Sequence, residues 1–309
     1  MLSPRITAEM TALVIKQLAY LVALAREKHF ARAANACHVS QPTLSGAIRQ
    51  LEDELGVPLV ERSHRFTGLT AEGEMIVAHA KRILGEIDTM QHSISDVREG
   101  LSGRLRIGAI PTALPLVAQI TGPFSERFPT VTLTVLSMTS NSIQAAIDNF
   151  DIDVGLTYLD NEPLERVVAK PLYAETYVLL TRADSILGKR DSISWDEAAS
   201  LNLCLLTPDM QNRRIIDGIF RSVGKSPQPV METNSIFNLC SHAAVAGWVS
   251  IVPSQLPGFF GIPNGLKALK LLQPAASRSV GLIMADRQPQ APLARNLFAM
   301  SAPLPGEQA

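Results

Sequence analysis

The chain has 309 residues, 46% of them hydrophobic and 18% charged, which is too long for one small module and apolar enough to offset the entropy of ordering. Bulk disorder is thereby excluded and two domains are expected. A net charge of −1 excludes recognition of a polyanion by overall charge, so a partner of that kind would need a local surface. Residues 1–70 do carry eight Lys/Arg against six Asp/Glu, a small surplus in that direction.

The first ten residues include Arg5 and Glu9 and lack an apolar signal core, and no uncharged apolar run approaches a membrane span. A cytoplasmic location without a membrane partner is expected. Cys37, Cys204 and Cys240 are odd in number and far apart, which fits reduced thiols better than a disulfide framework or a metal site. No metal or cofactor is expected. Only three of the 20 prolines precede residue 110, so two architectures share the chain.

Over residues 14–55 apolar side chains recur at helical spacing, with breaks near Lys28-His29 and at 38–40, and three short helices fit. The second covers 30–36. The third begins at Ser40, an N-cap, with Pro42 in the first turn, and Gly56 can close it in the left-handed conformation. Leu44, Ala47, Ile48, Leu51 and Leu55 share one face, while Thr43, Ser45, Gly46, Arg49 and Gln50 lie on the others. Small hydroxyls and amides suit close approach to base edges, Gln can pair with adenine and Arg with guanine. This is the pattern of a helix-turn-helix, although an ordinary helical pair with a solvated face has the same periodicity. The polar stretch 61–65 that follows has the length of a wing, whose Arg62 and Arg65 can reach phosphates.

Thr70 can cap a long helix with Glu72 in its first turn. Ile76, Ala80, Ile83, Ile87, Met90, Ile94, Val97 and Leu101 follow at steps of four and three, the 3.5-residue repeat of a coiled-coil seam. A homodimer is expected through this helix; an amphipathic helix lying on its own domain is the alternative. Flexible residues at 100–103 end it. The expected divisions are a helix-turn-helix domain over 1–69, a linker and dimerisation helix over 70–101, and a second domain over 102–309.

Beyond that boundary, strands at 131–137, 152–157, 177–181, 203–206 and 280–284 alternate with helices at 116–128, 143–149, 213–223 and 236–246. Alternation of this kind means an α/β sheet. Residues 301–309 look frayed. There is no G-x-S-x-G, H-E-x-x-H, P-loop or G-x-G-x-x-G, and the six histidines are dispersed, so an enzyme is not expected. The rival reading is an enzyme or solute-binding protein whose helical module only mediates assembly, and salt-dependent DNA binding would discriminate the two.

Phe30-x-Arg32-Ala33-Ala34, Ser40-Gln41-Pro42-x-Leu44-Ser45, Ile48-x-x-Leu51-Glu52-x-x-Leu55-Gly56, Leu59-x-Glu61-Arg62 and Leu69-Thr70-x-x-Gly73 resemble the signature of LysR-type transcriptional regulators, running from about residue 16 to 82. Cys37 and Val60 depart from it, standing where that family usually has Leu and Phe. The resemblance implies an α plus α/β architecture: an N-terminal winged helix-turn-helix, a long linker helix and a C-terminal effector domain of periplasmic-binding-protein type with two subdomains. It implies double-stranded promoter DNA and a small-molecule effector as partners, with dimers that commonly pair into tetramers, and RNA polymerase as a further candidate partner. Carried over by position, Arg32, Ser40, Gln41, Pro42, Thr43, Ser45, Arg49 and Gln50 meet DNA, with Arg62 and Arg65 on the backbone.

In α/β sheets ligands sit beyond the carboxyl ends of strands. Those ends offer Pro111 and Thr112, then Ser137, Thr139, Ser140 and Asn141, then Thr157, and later Thr207; the resemblance places the effector cleft among these same loops, between the subdomains. Turn or cap chemistry is the alternative role for each Thr. Asn212 and Arg213 open a helix just after Thr207, which suggests a small carboxylate or other anion as effector, unless the basic pair at 213–214 is simply solvated. The subdomains are expected at about 104–170 with 280–300 and at about 171–279, with crossings near 169–173 and 274–279. Residues 246–253 depart from the Gly-x-Gly turn that the resemblance expects, and Trp248 there either narrows a pocket or fills core.

Overall fold

The computed structural model describes residues 15–62, 66–99, 101–260 and 265–304. Two compact units divide the chain, one holding residues up to 94 together with 148–151, the other holding 95–147 and 152 onward.

The first unit begins with α1 (Ile15–Glu27), α2 (Phe30–Ala36) and α3 (Gln41–Leu55). Leu18, Leu21, Leu24, Ala33, Ala34, Leu44, Ile48 and Leu51 are buried together, which is the apolar stripe that the helical period demands. Ser40 Oγ caps α3 by accepting from the Thr43 amide, and Gly56 closes it at φ 70°, a left-handed value that favours glycine. A short antiparallel hairpin follows, β1 (Val60–Arg62) with β2 (Phe66–Leu69). Glu52 Oε1 accepts the Leu59 and Val60 amides at 2.9 and 3.1 Å, tying α3 to the hairpin. Val60 is buried in this core and Cys37 packs against it, so both departures from the family signature act on packing.

Helix α4 (Ala71–Glu99) is 29 residues long. Thr70 Oγ1 accepts the Gly73 amide at 2.9 Å and donates to the Pro58 carbonyl at 2.7 Å. A Cβ on Gly73 would collide with the Leu59 carbonyl oxygen, so glycine is required where helix and hairpin cross. The heptad is not one continuous outward seam. Ala80 is buried in the core of the first unit, while Leu101 lies beyond the helix and is buried in the core of the second. Those two positions are removed from an intermolecular seam because their own units cover them. Ile76 and Ile87 are half-buried, and Ile83, Met90 and Ile94 are exposed. The Val97 side chain lies outside the described residues.

The second unit is built on two mixed sheets. In the first, β3 (Gly103–Ala109) runs parallel to β4 (Val131–Ser137) and β5 (Val154–Tyr158). Strand β13, at Arg278–Ala285, returns antiparallel between β5 and β6 (Val167–Glu175). Every residue of β5 is buried, as expected of a strand covered on both faces. Helices α5 (Leu114–Arg127), α6 (Ser140–Asp148) and α11, at Pro292–Met300, accompany this sheet.

The second sheet has the order β10-β9-β11-β7-β12-β8. Its strands are β7 (Tyr177–Arg182), β8 (Ser192–Ile193), β9 (Leu203–Leu206), β10 (Met231–Thr233), β11 (Val249–Pro253) and β12 (Leu266–Leu271). The helices are α7 (Trp195–Ala198), α8 (Gln211–Ser222), α9 (Ile236–Val245) and α10 (Gln255–Phe260). Ile215, Ile216, Ile219 and Phe220 form the buried face of α8.

Two boundaries differ from expectation. Residues 169–173, expected as a crossing, belong to strand β6, which continues to Glu175; the chain then changes sheet through Thr176 alone. Pro171 is tolerated because β6 is an edge strand whose register shifts opposite Val280/Gly281. The return crossing occupies 272–277. The described end of the tail is tied down: Leu304 N donates to the Leu172 carbonyl at 2.8 Å, and Ser301 is buried.

Candidate functional site

On α3, Gln41, Pro42, Thr43, Arg49 and Gln50 are exposed and Ser45 is half-buried, opposite the buried Leu44, Ile48 and Leu51. Gly46 is on this outer side too, with open space where a Cβ would stand. Ser40 Oγ and Thr43 Oγ1 lie 2.7 Å apart at the helix start, and Gln50 Nε2 donates to Glu54 Oε1 at 3.0 Å. Arg32 on α2 is exposed and donates to the Glu27 carbonyl. Arg65 and the side chain of Arg62 lie outside the described residues. The arrangement can offer hydroxyl, amide and guanidinium groups to a groove without uncovering any of the core.

Within the α/β unit a cleft of about 1470 Å³ opens between loops and helices of the two sheets. Pro111, Leu114, Pro115, Ser137, Met138 and Thr139 reach it from the first sheet's side; Leu180, Asp209, Met210, Ile236, Phe237 and Cys240 do so from the second's. Of the ligand residues expected from the sequence, Pro111, Ser137 and Thr139 line it. The others do not, for identifiable reasons. Ser140 and Thr157 are buried in the unit. Asn141 is exposed on α6 without reaching the cleft, and Thr207 is half-buried, its amide bonded to the Thr233 carbonyl.

Arg213 needs the plainest correction. Its Nε meets Asp217 Oδ1 at 2.9 Å and its Nη1 meets Glu232 Oε1 at 2.6 Å and the Leu206 carbonyl at 2.8 Å. At 7% exposure it is a structural cation held by two carboxylates. Arg214 is likewise engaged, in a two-pronged pair with Glu162 at 2.7 and 2.8 Å.

Thr112 and Asn212 converge on something the sequence did not announce. Glu175, wholly buried, ends β6 beside the single-residue passage between sheets. Its Oε1 accepts from Tyr158 Oη and from Asn212 Nδ2 at 3.4 Å; Asn212 Nδ2 also reaches Tyr158 Oη at 3.0 Å, and Thr112 Oγ1 lies 3.5 Å from the same hydroxyl. Tyr173 Oη is buried without a hydrogen-bond partner, and the Tyr177 hydroxyl belongs to the group that faces the Glu175 carboxyl. Burial raises the Glu175 carboxyl to about 7, against the downward pull of the surrounding hydroxyls and amide. Tyr158 is pushed well up by burial and by that carboxylate. The acid went unnoticed because alternation in β6 is broken by Lys170-Pro171; the cluster Tyr173, Glu175, Tyr177 at spacing two was the available signal.

Trp248 stacks on His242 at 5.6 Å between ring centroids and packs against the core around Cys204 and Leu239, so it fills structure and does not line the cleft. Burial raises the Cys204 and Cys240 thiols above their ordinary range, and Cys204 Sγ lies 3.2 Å from Met231 Sδ.

Comparison with known proteins agrees with this architecture. The LysR substrate binding domain matches residues 98–303, and the bacterial regulatory helix-turn-helix protein of the lysR family matches residues 15–74. A hydrogen peroxide-inducible genes activator of Dickeya chrysanthemi is 31% identical over 276 residues, 89% of this chain and 90% of that protein. A full-length OxyR variant from Pseudomonas aeruginosa superposes with a TM-score of 0.75 at 27% identity, covering 95% of this chain and 99% of that one. CbnR in complex with its target DNA shares the fold, with a TM-score of 0.69 at 21% identity over 94% of this chain and 100% of that one. The chain belongs to the LysR family of bacterial transcriptional regulators. It is therefore a DNA-binding regulator with an effector-binding domain, and not an enzyme. Among the described residues no helix is long and apolar enough to cross a membrane.

Proposed function

We propose that this regulator binds promoter DNA through the outer face of α3, self-associates through the exposed part of the α4 seam, and alters its grip on DNA when a small organic molecule enters the cleft. The cleft carries the reading. It is lined from both sheets at once, so a ligand there makes different contacts when the sheets change their relation, and differential contact is what a molecular signal requires. The divisions at 1–69, 70–101 and 102–309 assign one task to each part.

The peroxide response in the names of the relatives is not carried over. Thiol chemistry proceeds through the thiolate; Cys204 is fully buried, and burial shifts both thiols upward, which slows Cys240 without silencing it.

Binding of the full chain to fragments selected from a random DNA pool tests the proposal. Affinity should fall steeply with salt as phosphate contacts release counterions, and sedimentation should give a dimer or larger that Ile94→Asp weakens. A log-log salt slope near zero would return the helical module to a mere assembly role.

A further inference from the structure

Resting on the reading of the cleft as the effector site, we infer that its ligand is an uncharged, largely apolar organic molecule and not a small anion. The walls are Leu114, Met138, Leu180, Met210, Ile236 and Phe237, and the one charged residue among the described lining residues is the acid Asp209. An acid at the mouth repels a carboxylate. The cations that the sequence places nearby are occupied: Arg213 by Asp217 and Glu232, Arg214 by Glu162.

Two of the helix starts at the cleft, those of α6 and α9, carry side-chain caps. At α6, Thr139 Oγ1 accepts the Ser142 amide at 3.2 Å; at α9, Ser235 Oγ accepts the Asn238 amide at 3.4 Å. Each cap takes up one amide donor that an anion could otherwise meet. What remains is the Ser137 hydroxyl and the Asn234 amide around an apolar floor, the distribution that orients a neutral hydrophobic ligand. The volume of about 1470 Å³ exceeds the roughly 300–1,000 Å³ of ordinary ligand pockets, which favours a body larger than a two- or three-carbon acid. Phe237 and Val245 are 81% and 82% exposed at the rim, apolar surface that such a ligand would cover.

The test uses full-length Cys37→Ser protein and matched probe pairs that differ only in charge: 1-naphthamide with 1-naphthoate, and decanamide with decanoate. Two readouts are taken, calorimetric affinity and protection of Cys240, which lines the cleft, from an uncharged maleimide. The expected result is that each amide binds at least tenfold more tightly than its carboxylate and slows Cys240 labelling at matching concentrations. Phe237→Ser, a change at an exposed position, should weaken the amides several-fold, and Asp209→Asn should narrow the amide-to-carboxylate ratio. Carboxylates that bind as tightly as the amides and protect Cys240 would overturn the ligand class while leaving the cleft as the effector site. Absence of both binding and protection for all four probes would overturn the ligand class and the reading of the cleft together.

Discussion

On α3 the groups proposed to meet DNA stand in solvent while Leu44, Ile48 and Leu51 keep the core wholly apolar. In the α/β unit Glu175, Tyr158 and Asn212 are sealed inside, at the passage from one sheet to the other. The difference separates two tasks. An outer polar face can change its partner without altering stability, whereas a buried acid links any change in its surroundings to the free energy of the fold.

The comparison can be broken most forcefully in the core of the first unit. Leu44→Ala should cost about 2–5 kcal/mol in denaturant unfolding, because it empties a fully buried site; a smaller loss would mean the helical core is not the continuous one described. Next comes pH. The native Glu175 carboxyl keeps its proton up to about 7 whereas its ordinary value is 4.5, so between these values the folded state binds more protons than the unfolded one. Stability therefore falls as pH rises through this window, by about 3 kcal/mol in all. Glu175→Gln should flatten that slope, and an unchanged slope in paired melts at pH 5 and pH 8 would remove Glu175 as its source.

Two arginines sharpen the contrast further. Arg49→Ala should lose about 1–3 kcal/mol of operator affinity at fixed salt while unfolding within about 0.5 kcal/mol of the parent, as exposed changes do. Arg213→Ala should do the reverse, destabilising by about 1–3 kcal/mol because Asp217, Glu232 and the Leu206 carbonyl lose their common cation, with affinity for an apolar probe unchanged. The smallest effect belongs to Thr70→Ala, about 1 kcal/mol for a lost N-cap, read as a lower denaturation midpoint.

Local rules explain why some of this was legible before the structure. Ser40, Gly56 and Thr70 act on amides within a few residues of themselves, so the sequence displays cap and partner side by side. Tertiary partners are not displayed. Arg213 looked free because Glu232 lies 19 positions away, although Asp217 at i+4 was visible. Thr112, Thr157 and Asn212 looked like ligand groups at strand and helix ends, yet packing turned them into the interior. Met138, Met210 and Phe237 line the cleft, which was not legible because composition cannot tell an apolar wall from an apolar filling. The strands β8 and β10 were not legible because two or three residues carry too little periodicity to register.

Thr176 alone joins β6 to β7, and residues 272–277 make the return. Two short links define a line, and a turn of one sheet against the other about it would change the fewest backbone angles while shifting the shared apolar core and the Arg214–Glu162 pair. Under the proposed function a ligand wedged on one side of that line would act as a lever, reporting through an angle and not through its own shape, so that substitution along the walls could change the chemical taste of the cleft without rebuilding the rest.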